Sequence, residues 1–439
     1  MFVYELKVAW HHTRRNPVLT ALMVLAMAVG IGACMTTLAV VHLLSGDPLP
    51  GRSAQIYYPQ VDASPNPPGR EPLDMMDDRT ALDLWRAGQA DQQALMAESP
   101  IKVRAPDAAL PPLMRSMLST TADFFPMFEV PFQYGQGWRA EDDAARARVV
   151  VISAPLNERL FGGRDSVGQM LRLGEAHLRI VGVLAPWRPS PVFYSVRGGR
   201  FASGDTASFY GQVNDVFVPF GTSLDINAGH FQQFTCWALP ERPGHLEGAP
   251  CAWVALWVRL DGADKVAAYA RFLQRYAAEQ QAAGRLHNAD NTRLRSLLQW
   301  LDYNGVVPSD AKLQAVMAVA FLVICLANVV GLLLTKFLRH GGEIGLRRAL
   351  GATRGAIFVQ CLAESALIGL MGGAGGLLLT LAGLYLVRQQ PLPYADLARL
   401  DVGVFLATFA LALAASLLAG VLPALRASRI QPVAQLKLL

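Results

Sequence analysis

Charge is scarce in this chain. Only 17% of its 439 residues are Asp, Glu, Lys or Arg, against about 25% in ordinary soluble domains. Several catalytic signatures are missing as well. No Gly-Lys pair occurs anywhere, which removes the phosphate-binding loop whose backbone nest and lysine hold a nucleotide. HExxH and GxSxG are absent too, so zincin and serine-hydrolase readings lose their simplest support. His177, His230, His245 and His287 are scattered without metal-ligand spacing. Glu141-Asp142-Asp143 reads as an exposed acidic turn rather than a cation site. Nothing in the sequence supports an enzyme or a metal centre.

What is abundant is apolar. Four runs, Val18–Leu44, Leu313–Leu338, Ala356–Val387 and Val402–Pro423, are each long enough to cross a hydrocarbon layer of about 30 Å. The first is too long for the apolar region of a signal peptide and reads as an uncleaved anchor. Basic residues gather at Lys7, Arg14 and Arg15, at Lys336, Arg339, Arg347, Arg348 and Arg354, and at Arg426, Arg429 and Lys437. Between the last two runs, Arg388 and Arg399 are balanced by Asp396 and Asp401. The positive-inside rule then puts both termini and the 339–355 loop in the cytoplasm. Residues 46–311 fall on the outer side, with 25 Lys/Arg and 29 Asp/Glu. The basic pI of about 9.0 therefore reflects topology and not nucleic-acid binding.

The predicted organisation is an amphipathic cytoplasmic helix over 1–16, with Phe2, Leu6, Ala9 and Trp10 on one face, then a membrane helix over 17–45. A large exported domain follows over 46–311. Membrane helices at 312–338, 356–387 and 402–424 are separated by a basic loop at 339–355 and a short outer loop at 388–401, and a cytoplasmic tail covers 425–439. In the exported domain, helical spacing marks 80–96, 153–161 and 264–285, and alternation or β-rich runs mark 114–120, 148–152, 170–173, 177–183, 215–219 and 252–260. The mixture predicts an α/β (α+β) domain. Segment 188–212 has no period and reads as a plain surface excursion, with a mobile, substrate-facing loop as the alternative. Cys34, Cys325 and Cys361 lie in spans. Cys236 and Cys251 share the exported domain, where an oxidising compartment and an even count favour a disulfide.

The segments EIGLRRALGATRGAIFVQCLAESALIGLMGG and PALRASRIQPVAQL resemble the permease domain of MacB/FtsX-like ABC transporters (type VII, mechanotransmission). LSTTADFFPMFEVPFQYGQGWRAEDD, VVVISAPLNERLFGGRDSVGQMLRL, LRIVGVL and DVFVPF are similar to the MacB-type periplasmic core. The resemblance implies an α-helical inner-membrane protein with four transmembrane helices, its large periplasmic domain combining a porter-like part with an inserted subdomain. It implies a non-catalytic permease and a separate LolD/MacB-type ATPase that binds the ATP and Mg. A second permease copy or paralogue, a periplasmic membrane-fusion protein and membrane lipid are the other implied partners.

Glu343, Arg347, Arg348 and Arg354 match the ATPase-coupling helix of that family; on a helix Glu343 and Arg347 are also an i,i+4 pair, whose charges can serve to stabilise the helix itself. His340-Gly341-Gly342 stands where basic residues are usual, which predicts a looser elbow. Asn328 and Glu364 match family polar positions inside spans, where an amide hydrogen-bonds across helices and an ionisable group marks function. Gly369, Gly372, Gly373, Gly375 and Gly376 are expected in helix packing or at a dimer seam. The implied task is export of a peptide, toxin, drug or lipid-linked substrate. The alternatives are lipoprotein extraction of LolC/LolE type, or FtsX-like regulation of a periplasmic hydrolase.

Overall fold

A computed structural model describes residues 17–65, 71–104, 111–196, 209–227, 231, 233–242, 245–306, 309–391, 395–398 and 402–428. The expected helix over 1–16 lies outside the described residues, as do His230, Arg399, Asp401, Arg429 and Lys437. The chain divides into a membrane-type unit, residues 1–45 with 307–439, and a second unit, Gly46–Val306.

Four helices of the first unit are long and apolar enough to cross a bilayer: span 1 (Pro17–Leu44), span 2 (Ser309–Arg339), span 3 (Arg354–Arg388) and span 4 (Val402–Ser428). Each of the last three runs beyond its apolar stretch at one or both ends, because backbone hydrogen bonding continues where hydropathy stops. Spans 1 and 3 run parallel, with residues near 27, 31 and 36 facing residues near 372, 376 and 383.

The second unit is built on one large mixed sheet. Its strands are β1 (Ile56–Val61), β2 (Gln92–Arg104), β3 (Leu113–Thr120), β4 (Phe132–Gly135), β5 (Val149–Ile152), β6 (Met170–Leu173), β7 (Ala176–Leu184), β8 (Val216–Pro219), β11 (Ala255–Arg259) and β12 (Thr292–Ser296). They are ordered β12-β1-β11-β2-β3-β8-β5-β7-β4, with β6 bridging β2 and β7. Strand β2 is 13 residues long and serves both halves: Gln92 to Met96 pair with β11, and Val103 and Arg104 pair with β6. On one half the helix Ala263–Ala282 buries Tyr269, Leu273 and Tyr276. On the other, Val150, Ile152, Leu171, Leu178 and Ile180 form a fully buried aliphatic core. A separate aromatic cluster contains Tyr58, Phe128, Phe193, Trp257 and Trp300, all fully buried. Tyr58 and Trp300 centroids are 4.1 Å apart, and those of Phe128 and Phe193 are 4.9 Å apart. Such ring pairs contribute about 0.5–1.5 kcal/mol each beyond area burial.

Three expectations are corrected here. The helix read over 80–96 covers only Asp78–Arg86; Gly88 adopts φ 60° and ends it, and Leu95 belongs to β2. The helical spacing of Leu82, Leu84 and Trp85 was extended into residues whose true period is two. Segment 188–212 is no surface excursion at its described ends, because Phe193, Tyr194, Phe209 and Tyr210 are buried. Aromatic burial supplied the order that periodicity did not reveal. Finally, Glu141–Asp143 is part of a short helix (Ala140–Ala144). Asp143 is half-buried there, accepting from Ala122 N at 2.7 Å and Trp138 Nε1 at 2.8 Å.

Cys236 and Cys251 are bonded to each other, joining β9 (Thr235–Cys236) to β10 (Cys251–Ala252) in a separate two-stranded sheet. A loop of this size contributes about 3 kcal/mol through the unfolded state.

Burial raises the Asp143 carboxyl from its ordinary 3.8 to about 6, with Asp123 and Asp142 adding to the rise and the two hydrogen bonds opposing it. A folded-state value above the unfolded one means the native state binds the extra proton between these limits. Stability from this group is therefore greatest below pH 3.8 and falls as pH rises to about 6. In thermal melts of the full chain, the difference between wild type and Asp143→Asn should change across that window and stay flat above pH 7. A difference independent of pH would contradict the assignment.

Candidate functional site

The site begins with a change of direction at one residue. Span 2 ends at Arg339 and a short helix, Gly341–Ala349, starts at once, with only His340 between them. The corner is tight and satisfied: Ile344 N donates to His340 O at 3.0 Å, and His340 Nδ1 donates to Lys336 O at 2.8 Å. Gly341 and Gly342 form the first helical turn, and Gly341 is buried. Gly341 and Gly342, where the looser elbow is expected, are thus helical in backbone. Gly342 is exposed, with nothing within 4 Å of where its Cβ would lie. Gly351, at φ 100°, ends the short helix, and Thr353 caps span 3 by accepting from Ala356 N at 3.2 Å.

Behind this corner Lys336 of span 2 and Glu364 of span 3 form an ion pair, with only 1% and 6% of each residue exposed. Charges so placed persist only when paired. Arg347 reaches from the short helix to Gln360 Oε1 of span 3 at 2.9 Å and to Glu343 Oε1 at 3.2 Å. Arg348 donates to Ser428 O of span 4 at 3.4 Å. A cavity of about 20 Å³ lies among Phe337, His340, Glu343, Arg347, Gln360, Cys361 and Glu364, room for one water. Polar bonds therefore tie the short helix to spans 2, 3 and 4.

The charged residues singled out from the sequence divide. Glu343, Arg347 and Arg348 are half-buried and face this network, whereas Arg354 is exposed at the start of span 3. The outward surface of the short helix is apolar instead: Leu346 is 56% exposed and Leu350 80%. Lys336 was counted from the sequence only as a topology charge. Its place four residues before His340 carried no sign of a partner 28 residues away.

The five glycines of span 3 pack within the unit on two faces. A Cβ on Gly372 would lie 2.7 Å from Met27 Cβ, one on Gly375 2.9 Å from Ala28 Cβ, and one on Gly376 2.9 Å from Ile31 Cγ2. Gly369 meets Ser416, and Gly373 would bring a Cβ within 2.7 Å of Ala412 Cβ. Spans 1 and 4 are thus held close by missing side chains. Asn328 is exposed on span 2. No group that can hold a metal ion is found among the described residues.

Removing one member of the buried pair strands the other. Glu364→Ala or Lys336→Ala should each cost about 3–5 kcal/mol, read as a lowered melting temperature of the solubilised full chain. The double change Lys336→Met with Glu364→Leu should recover most of that loss. A double variant as unstable as the singles would show that charge compensation is not what the pair supplies.

The sequence matches the MacB-like periplasmic core domain over residues 20–275 and the FtsX-like permease C-terminal region over 315–432. The macrolide export ATP-binding/permease protein MacB 1/2 of Paracoccus denitrificans is 27% identical over 322 residues, covering 72% of this chain and 40% of that protein. The MacB 1 protein of Yersinia pestis bv. Antiqua is 24% identical over 440 residues, covering 98% and 60%. This chain thus spans about 40 to 60% of the length of these curated relatives. The crystal structure of the periplasmic region of MacB from Actinobacillus actinomycetemcomitans is 10% identical, with a TM-score of 0.36, covering 56% of this chain and 91% of that one. With four membrane-type helices, a large α/β domain after the first, and family matches across both units, this chain belongs to the MacB/FtsX-like ABC transporter permeases.

Proposed function

We propose that this chain is a non-catalytic permease that converts ATP hydrolysis below the inner membrane into movement of its periplasmic domain. ATP and Mg are bound by a nucleotide-binding partner of the LolD/MacB type, outside these 439 residues. Both termini and the Gly341–Ala349 helix face the cytoplasm, consistent with the basic residues there. A second permease completes the membrane assembly. The work serves export of a peptide, toxin, drug or lipid-linked molecule, and a periplasmic membrane-fusion protein is a fitting further partner. The family relatives named above carry export in their descriptions.

The observation that carries this reading is the short helix itself. It is tied to spans 3 and 4 by Arg347–Gln360 and Arg348–Ser428 and to span 2 through the His340 corner, while Lys336–Glu364 joins spans 2 and 3 behind it, yet it presents Leu346 and Leu350 outward. An element bonded inward and apolar outward suits transmission: a partner grips the leucines, and the polar ties carry the displacement into spans 2, 3 and 4. The charges of Glu343 and Arg347 thereby set the helix in place, and the leucines make the docking contact.

Leu346→Asp combined with Leu350→Asp should abolish coupling, lowering transport-linked ATPase activity at least about tenfold, since two buried hot-spot contacts are lost. Expression and membrane insertion should be unchanged. Full coupling in that variant would remove the docking assignment.

A further inference from the structure

Beside their glycine contacts, spans 1 and 3 leave an open apolar trench. It holds about 740 Å³ and runs along span 1 from Pro17 past Val24 to Ala28, with Met371, Gly375 and Leu378 of span 3 on its other side. Among the described lining residues only Thr20 carries a hydroxyl, amide or charge, and it is 4% exposed. Leu25 and Leu378 are 58% and 67% exposed, so the rim is apolar as well. The trench ends where the spans close together. A Cβ on Gly32 would lie 2.6 Å from Leu379 Cβ, and one on Gly383 2.6 Å from Thr36 Oγ1.

Length and charge say what lies in it. From Pro17 to Ala28 is about 16 Å at 1.5 Å per residue, the depth of one leaflet in a hydrocarbon layer about 30 Å thick. A partner helix crossing the bilayer needs a seam of the full thickness, and this one stops halfway. An apolar cavity stays dry, and at membrane depth the available filler is hydrocarbon. The open end is marked by cations. Arg15 and Arg14 precede Pro17 by two and three residues, at most about 7 and 11 Å of backbone. No acidic residue stands between Glu5 and Asp47 in the sequence, so this stretch of chain supplies them with no carboxylate.

We infer that the trench is a binding site for an anionic phospholipid of the leaflet that span 1 enters at Pro17. One acyl chain lies along Val24, Leu25 and Leu378, and the phosphate pairs with the Arg14–Arg15 charge. A lipid tail already in the bilayer gains little by moving from other tails into an apolar trench, so the selectivity comes from the headgroup. Arginine holds phosphate through bidentate, charge-assisted hydrogen bonds, and basic residues beside a bilayer attract anionic lipid. A zwitterionic lipid offers the same tails with the headgroup charge cancelled and is the weaker ligand. The inference rests on the reading of these helices as membrane spans and involves neither the short helix nor its leucines.

The test uses the full chain in phosphatidylcholine vesicles doped with phosphatidylglycerol whose acyl chain carries a photoactivated diazirine. Phosphatidylcholine bearing the same chain is the comparison probe. Adducts on Val24, Leu25 and Leu378, located by peptide mass spectrometry, should be about 5- to 30-fold more abundant from the anionic probe. Leu418 of span 4, exposed at 72%, should label equally from both. Ala21→Trp with Leu25→Trp fills the trench and should cut the Val24 and Leu378 adducts below a tenth. Val29→Trp, on the same span but outside the lining, should leave them unchanged. Arg14→Gln with Arg15→Gln should bring the anionic probe down to the other's level, and Arg14→Lys with Arg15→Lys should keep most of the preference. Equal trench labelling from the two probes or undiminished adducts in the filled variant would overturn the proposal. So would a disulfide from Leu25→Cys to Trp10→Cys, which puts the chain's own first segment in the trench, or to Leu25→Cys of a second copy. Because Leu346→Asp/Leu350→Asp leaves the trench intact, Leu25 labelling in that variant separates failure of this site from failure of partner docking.

Discussion

The membrane unit depends on the ion pair between Lys336 and Glu364. Placing two charges where only 1% and 6% of their residues are exposed carries a large desolvation cost, and mutual contact offsets it in one arrangement alone. Span 2 cannot slide or rotate against span 3 without separating them. Because His340 donates to the carbonyl of Lys336 itself, the same contact fixes the corner from which the short helix departs. Apolar packing by itself would tolerate several registers, since one leucine-lined groove resembles another.

Glycine contacts complete what the charges begin. Gly372, Gly375 and Gly376 bring span 1 against one face of span 3, and Gly369 and Gly373 bring span 4 against the other. Without a hydrophobic driving force between helices in lipid, such close backbone approach and a few polar contacts are what hold a bundle together. The short helix inherits its position from this frame. Its inward charges join it to the frame, and its outward leucines remain for another surface.

The folded domain between spans 1 and 2 follows a different logic, that of water. Its strength lies in an aromatic cluster around Tyr58, Trp257 and Trp300 and in an aliphatic core under β5, β6 and β7. Strand β2 belongs to both halves of the sheet, so the two cores are joined through one continuous backbone. Asp143, held by Trp138 and Ala122, shows that an acid run read as solvent-exposed was partly structural. Alternation in 177–181 was legible because Leu178 and Ile180 are buried while His177 and Arg179 are exposed, whereas Met117 to Thr120 and Gly182 to Leu184 are buried on both faces. The 80–96 segment misled because a short helix and the start of β2 stand on either side of Gly88, and Gln93 to Ala97 are buried on both faces, so the strand shows no alternation there.

Hydropathy, charge asymmetry and local motifs by themselves determined four spans, the large α/β domain after the first, and family membership, because these are properties of composition and near-neighbour spacing. The Cys236 and Cys251 pairing was approachable from parity for a similar reason. Which charges face inward was decided only by the tertiary structure. The i,i+4 pairing of Glu343 and Arg347 was legible from spacing, but that Arg347 also turns inward to Gln360 of span 3 was not. Lys336 looks like a topology signal but is buried against Glu364. The physical reason is that a side chain's environment depends on contacts between residues distant in sequence, and no local pattern records whether a charge at the end of a span meets water or another helix.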